Sequence, residues 1–174
     1  MYLARRVVPG LRMHASTQAS VYDAAGAAAL ARMGVRRVVL ARELSLEQIA
    51  AIHRQVPDIE LEVFAHGAVC IAYSGRCLLS LYWSGRPDAP NRKPRDARKG
   101  ACAQGCRWPY HRMAVEDVRR PGQWNPLEED DRGTHFFDAK DLCALPVLPQ
   151  LLDTGATALK IEGRSRSQHY VGVT

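Results

Sequence analysis

RRVVLARELSLEQIAAIHRQVPDIELEVFAHGAVC, residues 36–70, places two apolar, β-branched runs on either side of an amphipathic one. RRVVLARE (36–43) and ELEVFAHGAVC (60–70) read as strands, because Val, Leu and Phe gather there in short runs. Between them LEQIAAIHRQ (46–55) carries Leu46, Ile49 and Ile52 at helical spacing. Ser45 is the natural N-cap of that helix, with Glu47 and Gln48 in its first turn. The stretch is therefore a strand, a helix and a strand, the βα unit of a parallel sheet.

The same rhythm extends in both directions. Upstream, the strand-like run RVVPGLRMHASTQ (6–18) leads into VYDAAGAAALARMG (21–34), whose alanines favour helix and whose Gly34 suits a C-terminal cap. Downstream, KDLCALPVLPQLLDTGA (140–156) reads as helix despite Pro146 and Pro149, and would carry Cys143 as a small buried side chain. ATALKIEGR (156–164) reads as a buried strand, and SQHYVGVT (167–174) begins a further element. A closed barrel needs eight such units, typically about 250 residues, and four strands are visible. The expected fold is α/β, the C-terminal half of a TIM-like (β/α) barrel, as one incomplete domain over residues 1–174.

The segment 81–134 breaks the pattern with Pro, Gly and charge and reads as a basic, cysteine-containing insertion, with HRMAVEDV (111–118) and THFFDA (134–139) as candidate strands of one hairpin. Of the 174 residues, 47% are hydrophobic and 24% charged, as in ordinary globular chains. The N-terminus lacks the apolar core of a signal peptide, and no run is long enough to span a membrane. A cytoplasmic protein with no membrane partner is expected. The net charge is +6, and the run from Arg86 to Arg107 is rich in positive residues. Arg92, Lys93, Arg95, Arg98 and Arg107 suit RNA phosphates, because their neutralisation releases counterions. A solvated loop is the plainer reading of the same charges.

Five cysteines are an odd number, and in a reducing compartment they point to metal or catalysis rather than disulfides. Cys70 and Cys77 enclose six residues, and Cys102 and Cys106 enclose three. Such pairs let a loop wrap a compact metal site, and Gly75, Gly100 and Gly105 allow the tight turns it needs. Spacing alone does not separate zinc from iron-sulfur. Polar residues also follow each strand: His14, Ser16, Thr17 and Gln18, then Arg42 and Glu43, then His66, then Lys160, Glu162 and Arg164. Barrel active sites are built at that end of the strands, and His66 and Glu162 are the candidate catalytic residues there.

The runs HASTQASVYDAAGAAALARMG, ELEVFAHGAVCIAYSGRCLLS, GACAQGCRWPY, RPGQWNPLEEDDRGTHFFDAKDLC and ALKIEGRSRSQHYV together resemble the collagenase-like peptidase family U-32. The CRWPY and RPG segments look most like its subgroup of tRNA hydroxylation proteins, which form 5-hydroxyuridine at the wobble base from a prephenate-linked source. The resemblance implies a TIM-like barrel and oxygen-independent hydroxylation of RNA or quinone precursors. It also implies a 4Fe-4S cluster on the cysteines matching Cys70, Cys77, Cys102 and Cys106. The family extends further before HASTQ and after KIEGR, so the resemblance implies a fragment, completed by a complementary barrel half or by a second copy. The stretch between Cys77 and Cys102 is longer than usual, by the basic run GRPDAPNRKPRDARKG (85–100).

Three function classes follow. An iron-sulfur RNA-modifying enzyme would use Arg107, Trp108 and Tyr110 against nucleotide by charge and stacking. A peptidase, as the family name has it, would draw ligands or a base from His14, His66, Glu62 and Glu162, yet no HExxH or GxSxG is present. A zinc-stabilised binding module is the third.

Overall fold

In the computed structural model the described residues are 2–85, 94–107, 114–116, 121–122, 124–126, 128–130, 133–135, 141–163 and 166–174. In chain order they form α1 (Tyr2–Val7), β1 (Met13–Ala15), α2 (Ala24–Arg32), β2 (Val35–Val39), α3 (Leu46–Gln55), β3 (Glu60–Gly67) and α4 (Leu79–Ser84). There follow the short strands β4 (Ala114–Glu116), β5 (Trp124–Pro126), β6 (Glu128–Asp130) and β7 (Gly133–His135). β8 (Leu142–Cys143), α5 (Leu148–Asp153), β9 (Ala158–Ile161) and α6 (Gln168–Val173) complete the chain. Two compact units result, one of Met1–Gly75 with Lys140–Thr174 and one of Arg76–Ala139.

The first unit is α/β. β1, β2, β3 and β9 lie parallel, with β2 beside β1, β3 beside β2 and β9 beside β3. β8 meets the end of β3 antiparallel, pairing Cys143 with His66 and Leu142 with Gly67. The helices form where local chemistry satisfies their first N–H groups. Asp23 caps α2 by accepting from the Gly26 N–H at 2.7 Å. Ser45 and Gln48 form a reciprocal capping box on α3, as S/T-x-x-Q spacing provides. The apolar faces then meet: Val38 and Leu40, Leu61 and Val63, Ala27, Ile49 and Ile52, and Leu151 make one buried core. Burial of each large side chain is worth about 1.5–3 kcal/mol.

Four expectations from sequence are corrected. The first strand is confined to Met13–Ala15 and Tyr2–Val7 is helical, because Pro9 and Gly10 form a turn that ends one element before the next starts. The strand from Glu60 stops at Gly67, where φ reaches +132. The helix expected over 140–156 is only Leu148–Asp153, preceded by a 3-10 turn at Leu145–Val147, since proline fits only the first turn of a helix and there are two. Cys143 consequently sits on β8 and is exposed, not buried on a helix.

In the second unit the described parts of the two expected strands belong to different hairpins, and 111–113, 117–118 and 136–139 lie outside the described residues. Ala114–Glu116 pairs with Trp124–Pro126, and Glu128–Asp130 pairs with Gly133–His135. Among the described residues no helix is long and apolar enough to cross a membrane.

Candidate active site at the strand ends

The parallel strands β2, β3 and β9 deliver three side chains to their carboxyl ends, the place where open and closed α/β sheets bind ligands. Arg42 follows β2, His66 ends β3 and Glu162 follows β9. The Arg42 side chain is only 6% exposed, and its Nη2 donates to Glu162 Oε2 at 2.6 Å. Its Nη1 donates to Cys70 Sγ at 3.4 Å, and its guanidinium lies 3.7 Å from the centroid of the Phe64 ring. Arg42 Nε is buried with no hydrogen-bond partner among the described residues. A guanidinium held by a carboxylate, a sulfur and an aromatic face is fixed in position, and it keeps Cys70 and Glu162 on one cation.

Glu162 is held by its backbone as well, through its N–H to the His66 carbonyl at 3.0 Å. Gly67 makes this approach possible. Its φ is +132, and a Cβ there would lie 2.7 Å from the Glu162 Cβ. The two candidate catalytic residues are thus backbone neighbours, but their side chains have separate partners. His66 Nδ1 lies 2.6 Å from the Leu142 carbonyl, and its ring stacks on Tyr170 at 5.5 Å. A carbonyl only accepts, so the Nδ1 carries a proton toward it and Nε2 is the nitrogen left for other partners. Arg166 lies over the Tyr170 ring and pairs with Asp141.

The loop bearing Cys70 is fastened from below. Ser74 is fully buried. Its N–H and its hydroxyl both donate to the Glu43 carboxylate, at 2.7 and 3.1 Å. Its carbonyl accepts from the Ser20 hydroxyl at 2.9 Å. Gly75, with φ +75, passes so close to Gln18 that a Cβ would come within 2.5 Å of its Cα. Along the strands Glu62 binds Lys160 at 2.7 Å and Arg37 at 3.7 Å.

The second unit holds Cys77, Cys102 and Cys106. Buried Ser80 donates to the Arg95 carbonyl and accepts from the Ala103 N–H, both at 2.8 Å. Ser84 accepts from the Arg95 N–H at 2.7 Å. These two serines of α4 fasten the chain on either side of Asp96–Cys102. The Gln104 N–H donates to Cys102 Sγ at 3.3 Å. Cys70, Cys77, Cys102 and Cys106 are half-buried and Cys143 is exposed. Sulfurs that accept N–H donors, as those of Cys70 and Cys102 do, have the donor chemistry of iron-sulfur ligands. Among the described residues no three His, Cys, Asp or Glu side chains stand together as a ready ligand set.

Of the residues expected to face RNA, Arg92 and Lys93 lie outside the described residues, as do Trp108, Tyr110 and Arg164. Arg107 is described by its backbone, in the 3-10 turn Gly105–Arg107. Arg98 turns back on Asp96 with two bonds of 2.9 and 2.8 Å. That bidentate pair holds the Asp96 carboxyl below its usual range and raises the guanidinium. Sequence reasoning singled out Arg42, Glu43, His66 and Glu162 by position, but not Phe64, Ser74 or Tyr170. Their apolar or small-polar character carries no signal until the strands are paired.

The family model of peptidase family U32 matches residues 1–174. The chain is 36% identical over 208 residues to the tRNA hydroxylation protein P of Escherichia coli (strain K12), covering 99% of this chain and 44% of that protein. It is 37% identical over 164 residues to the 23S rRNA 5-hydroxycytidine C2501 synthase of the same organism, covering 94% of this chain and 22% of the relative. To the protein named collagenase of Porphyromonas gingivalis (strain ATCC BAA-308 / W83) it is 34% identical over 172 residues, with 93% and 37% covered. The chain therefore spans less than half the length of each of these relatives. No solved structure matches it. With the family model matching from the first residue to the last, the chain belongs to peptidase family U32.

Proposed function

We propose that this chain is part of a protein that hydroxylates a pyrimidine of RNA without molecular oxygen, with the wobble uridine of tRNA as its target. The observation that carries the reading is the likeness, over 99% of the chain, to a protein named for tRNA hydroxylation. The rRNA 5-hydroxycytidine synthase adds a second relative whose name gives the same chemistry on another RNA. In this reading the strand-end residues form the substrate pocket. Glu162 and His66 act on substrate, Arg42 orients Glu162, and the Nε2 of His66 takes or returns a proton. Cys70, Cys77, Cys102 and Cys106 hold a 4Fe-4S cluster, which when bound supplies redox or Lewis-acid chemistry at iron. Arg92, Lys93, Arg95 and Arg107 contact RNA phosphates. Arg98 contributes less, because Asp96 already balances its charge.

The sheet belongs, on this proposal, to one half of a TIM-like barrel with the cysteine-rich unit inserted, in a cytoplasmic protein. A complementary half or a second copy covers its open edges. Exposed Leu159 and Ile161 on β9 support that view.

The likeness to a protein named collagenase favours proteolysis as a second reading. Against it, Glu62 and Glu162 are paired with Lys160 and Arg42, and the sequence carries no HExxH or GxSxG motif. Nucleoside mass spectrometry of RNA from cells lacking the full-length parent separates the two. Loss of a hydroxylated pyrimidine supports the first. Unchanged RNA, together with peptide cleavage that depends on Glu162, establishes the second.

A further inference from the structure

At the amino ends of the same strands, away from Arg42 and Glu162, the first unit gathers arginines. Arg12 stands just before β1, and Arg36 and Arg37 lie on β2. All three reach one carboxylate, that of Glu60, at 2.9, 3.3 and 2.8 Å. Arg5 packs against Gly34 at the start of β2, and Arg32 and Arg54 lie in the last turns of α2 and α3, which lead into this end. Among the described residues the carboxylates at this end are Asp58, Glu60 and Asp153, and Arg37 also reaches Glu62 at 3.7 Å.

One carboxylate offers a few acceptor sites, whereas three guanidiniums bring fifteen N–H donors by their ordinary inventory of five each. The surplus faces water, since the Arg12 and Arg36 side chains are 67% and 59% exposed. The half-buried Arg37–Glu60 pair is enough to tie β2 to β3, and stability does not explain the other two arginines. Exposed ion pairs contribute little, and bringing three like charges together opposes it. A polyanion would relieve the repulsion and take up the free donors in the forked geometry that phosphate prefers.

We propose that this arginine face is a second RNA contact, which binds the phosphodiester backbone of a folded RNA. The inference rests on the RNA reading above and adds the substrate's size. From Glu60 to Gly67 the strand β3 takes seven steps, about 23 Å at its usual rise of about 3.3 Å per residue. An RNA that presents a base at one end of β3 and a phosphate at the other must bridge that span, which a mononucleotide cannot do and a folded RNA readily does.

The test is titration of the whole chain with bulk tRNA over a series of salt concentrations. Arg12→Gln with Arg36→Gln removes two phosphate contacts. Binding should weaken about three- to tenfold near physiological salt, and the log–log salt slope should flatten by about 1.4–1.8. Glu60→Gln frees the arginines, so it should tighten binding and steepen the slope. Opposite signs from neighbouring substitutions separate charge from misfolding. Should the double variant melt early, Arg12→Gln alone is read, with a proportionally smaller effect.

Wild-type binding with both variants unchanged, or weakening on Glu60→Gln, overturns the proposal and leaves the RNA reading standing. Failure of the wild-type chain to bind tRNA overturns the proposal, while the RNA reading is decided separately by the nucleosides of cells lacking the parent. Loss of polyglutamate binding with tRNA binding intact assigns the face to an acidic protein and overturns it as well.

Discussion

Arg42 has the most demanding environment in the described structure. It is almost wholly buried, and among the described residues it has one carboxylate partner and no acceptor for its Nε. Removing one member of a buried pair strands the other, at about 3–5 kcal/mol when both are fully enclosed. Glu162 is 22% exposed, so water screens part of that penalty. Arg42→Met should therefore cost about 2–3 kcal/mol in denaturant unfolding, and pairing it with Glu162→Gln should recover about 1 kcal/mol or more of it. Additive losses would mean that the ion pair is incidental. Gly67→Ala tests the same site from the backbone. A side chain at φ +132 that meets Glu162 at 2.7 Å should cost about 1–3 kcal/mol.

The site's position was legible in the sequence, because polar residues after apolar runs mark the ends of parallel strands. Its pairing was not. Arg42 and Glu162 are 120 residues apart, and nothing local to either states that β9 lies beside β3.

At the scale of elements, signals carried within a few residues were readable. Ser45 with Gln48 names the start of α3, and the capping box is present. Ser45→Ala should destabilise by about 1 kcal/mol in thermal or urea unfolding, and no loss would discount the cap. Elements that depend on distant partners escaped. Cys143 lies on a strand because its backbone meets His66, and Pro146 and Pro149 leave α5 too short to reach it.

Charge ties the strands together in a pH-dependent way. The Glu60 carboxyl is held below its ordinary value of 4.5, first by the hydrogen bond from Arg37 and then by the charges of Arg37 and Arg12 and the bond from Arg36. A lowered folded-state value means that its contribution is complete above the ordinary range and disappears as pH falls through and below it. Melting temperatures of wild type and Glu60→Gln should differ at pH 7 and draw together as the pH falls below about 4.5. A constant offset would contradict the assignment.

At the scale of the whole molecule, the α/β class was readable from alternation alone, and the family from its cysteine-bearing runs. The division at Gly75 and Lys140 was less so, because the 81–134 segment marks only where the periodicity fails, not where contacts do. Leu159 and Ile161 on β9 and Val171 and Val173 on α6 are exposed. The isolated chain should therefore run larger than 19.3 kDa in size-exclusion chromatography with light scattering. A sharply unfolding monomer would count against an open edge that needs covering.

Cysteine-dependent hydroxylation of RNA by the parent protein, as proposed above, is read out by nucleoside mass spectrometry in a complemented deletion strain. Parent protein carrying Cys70→Ser, Cys77→Ser, Cys102→Ser or Cys106→Ser should each fail to restore the hydroxylated pyrimidine. Exposed Cys143→Ser should restore it fully. Restoration by the first four, or unaltered nucleosides in the deletion strain itself, would contradict the account.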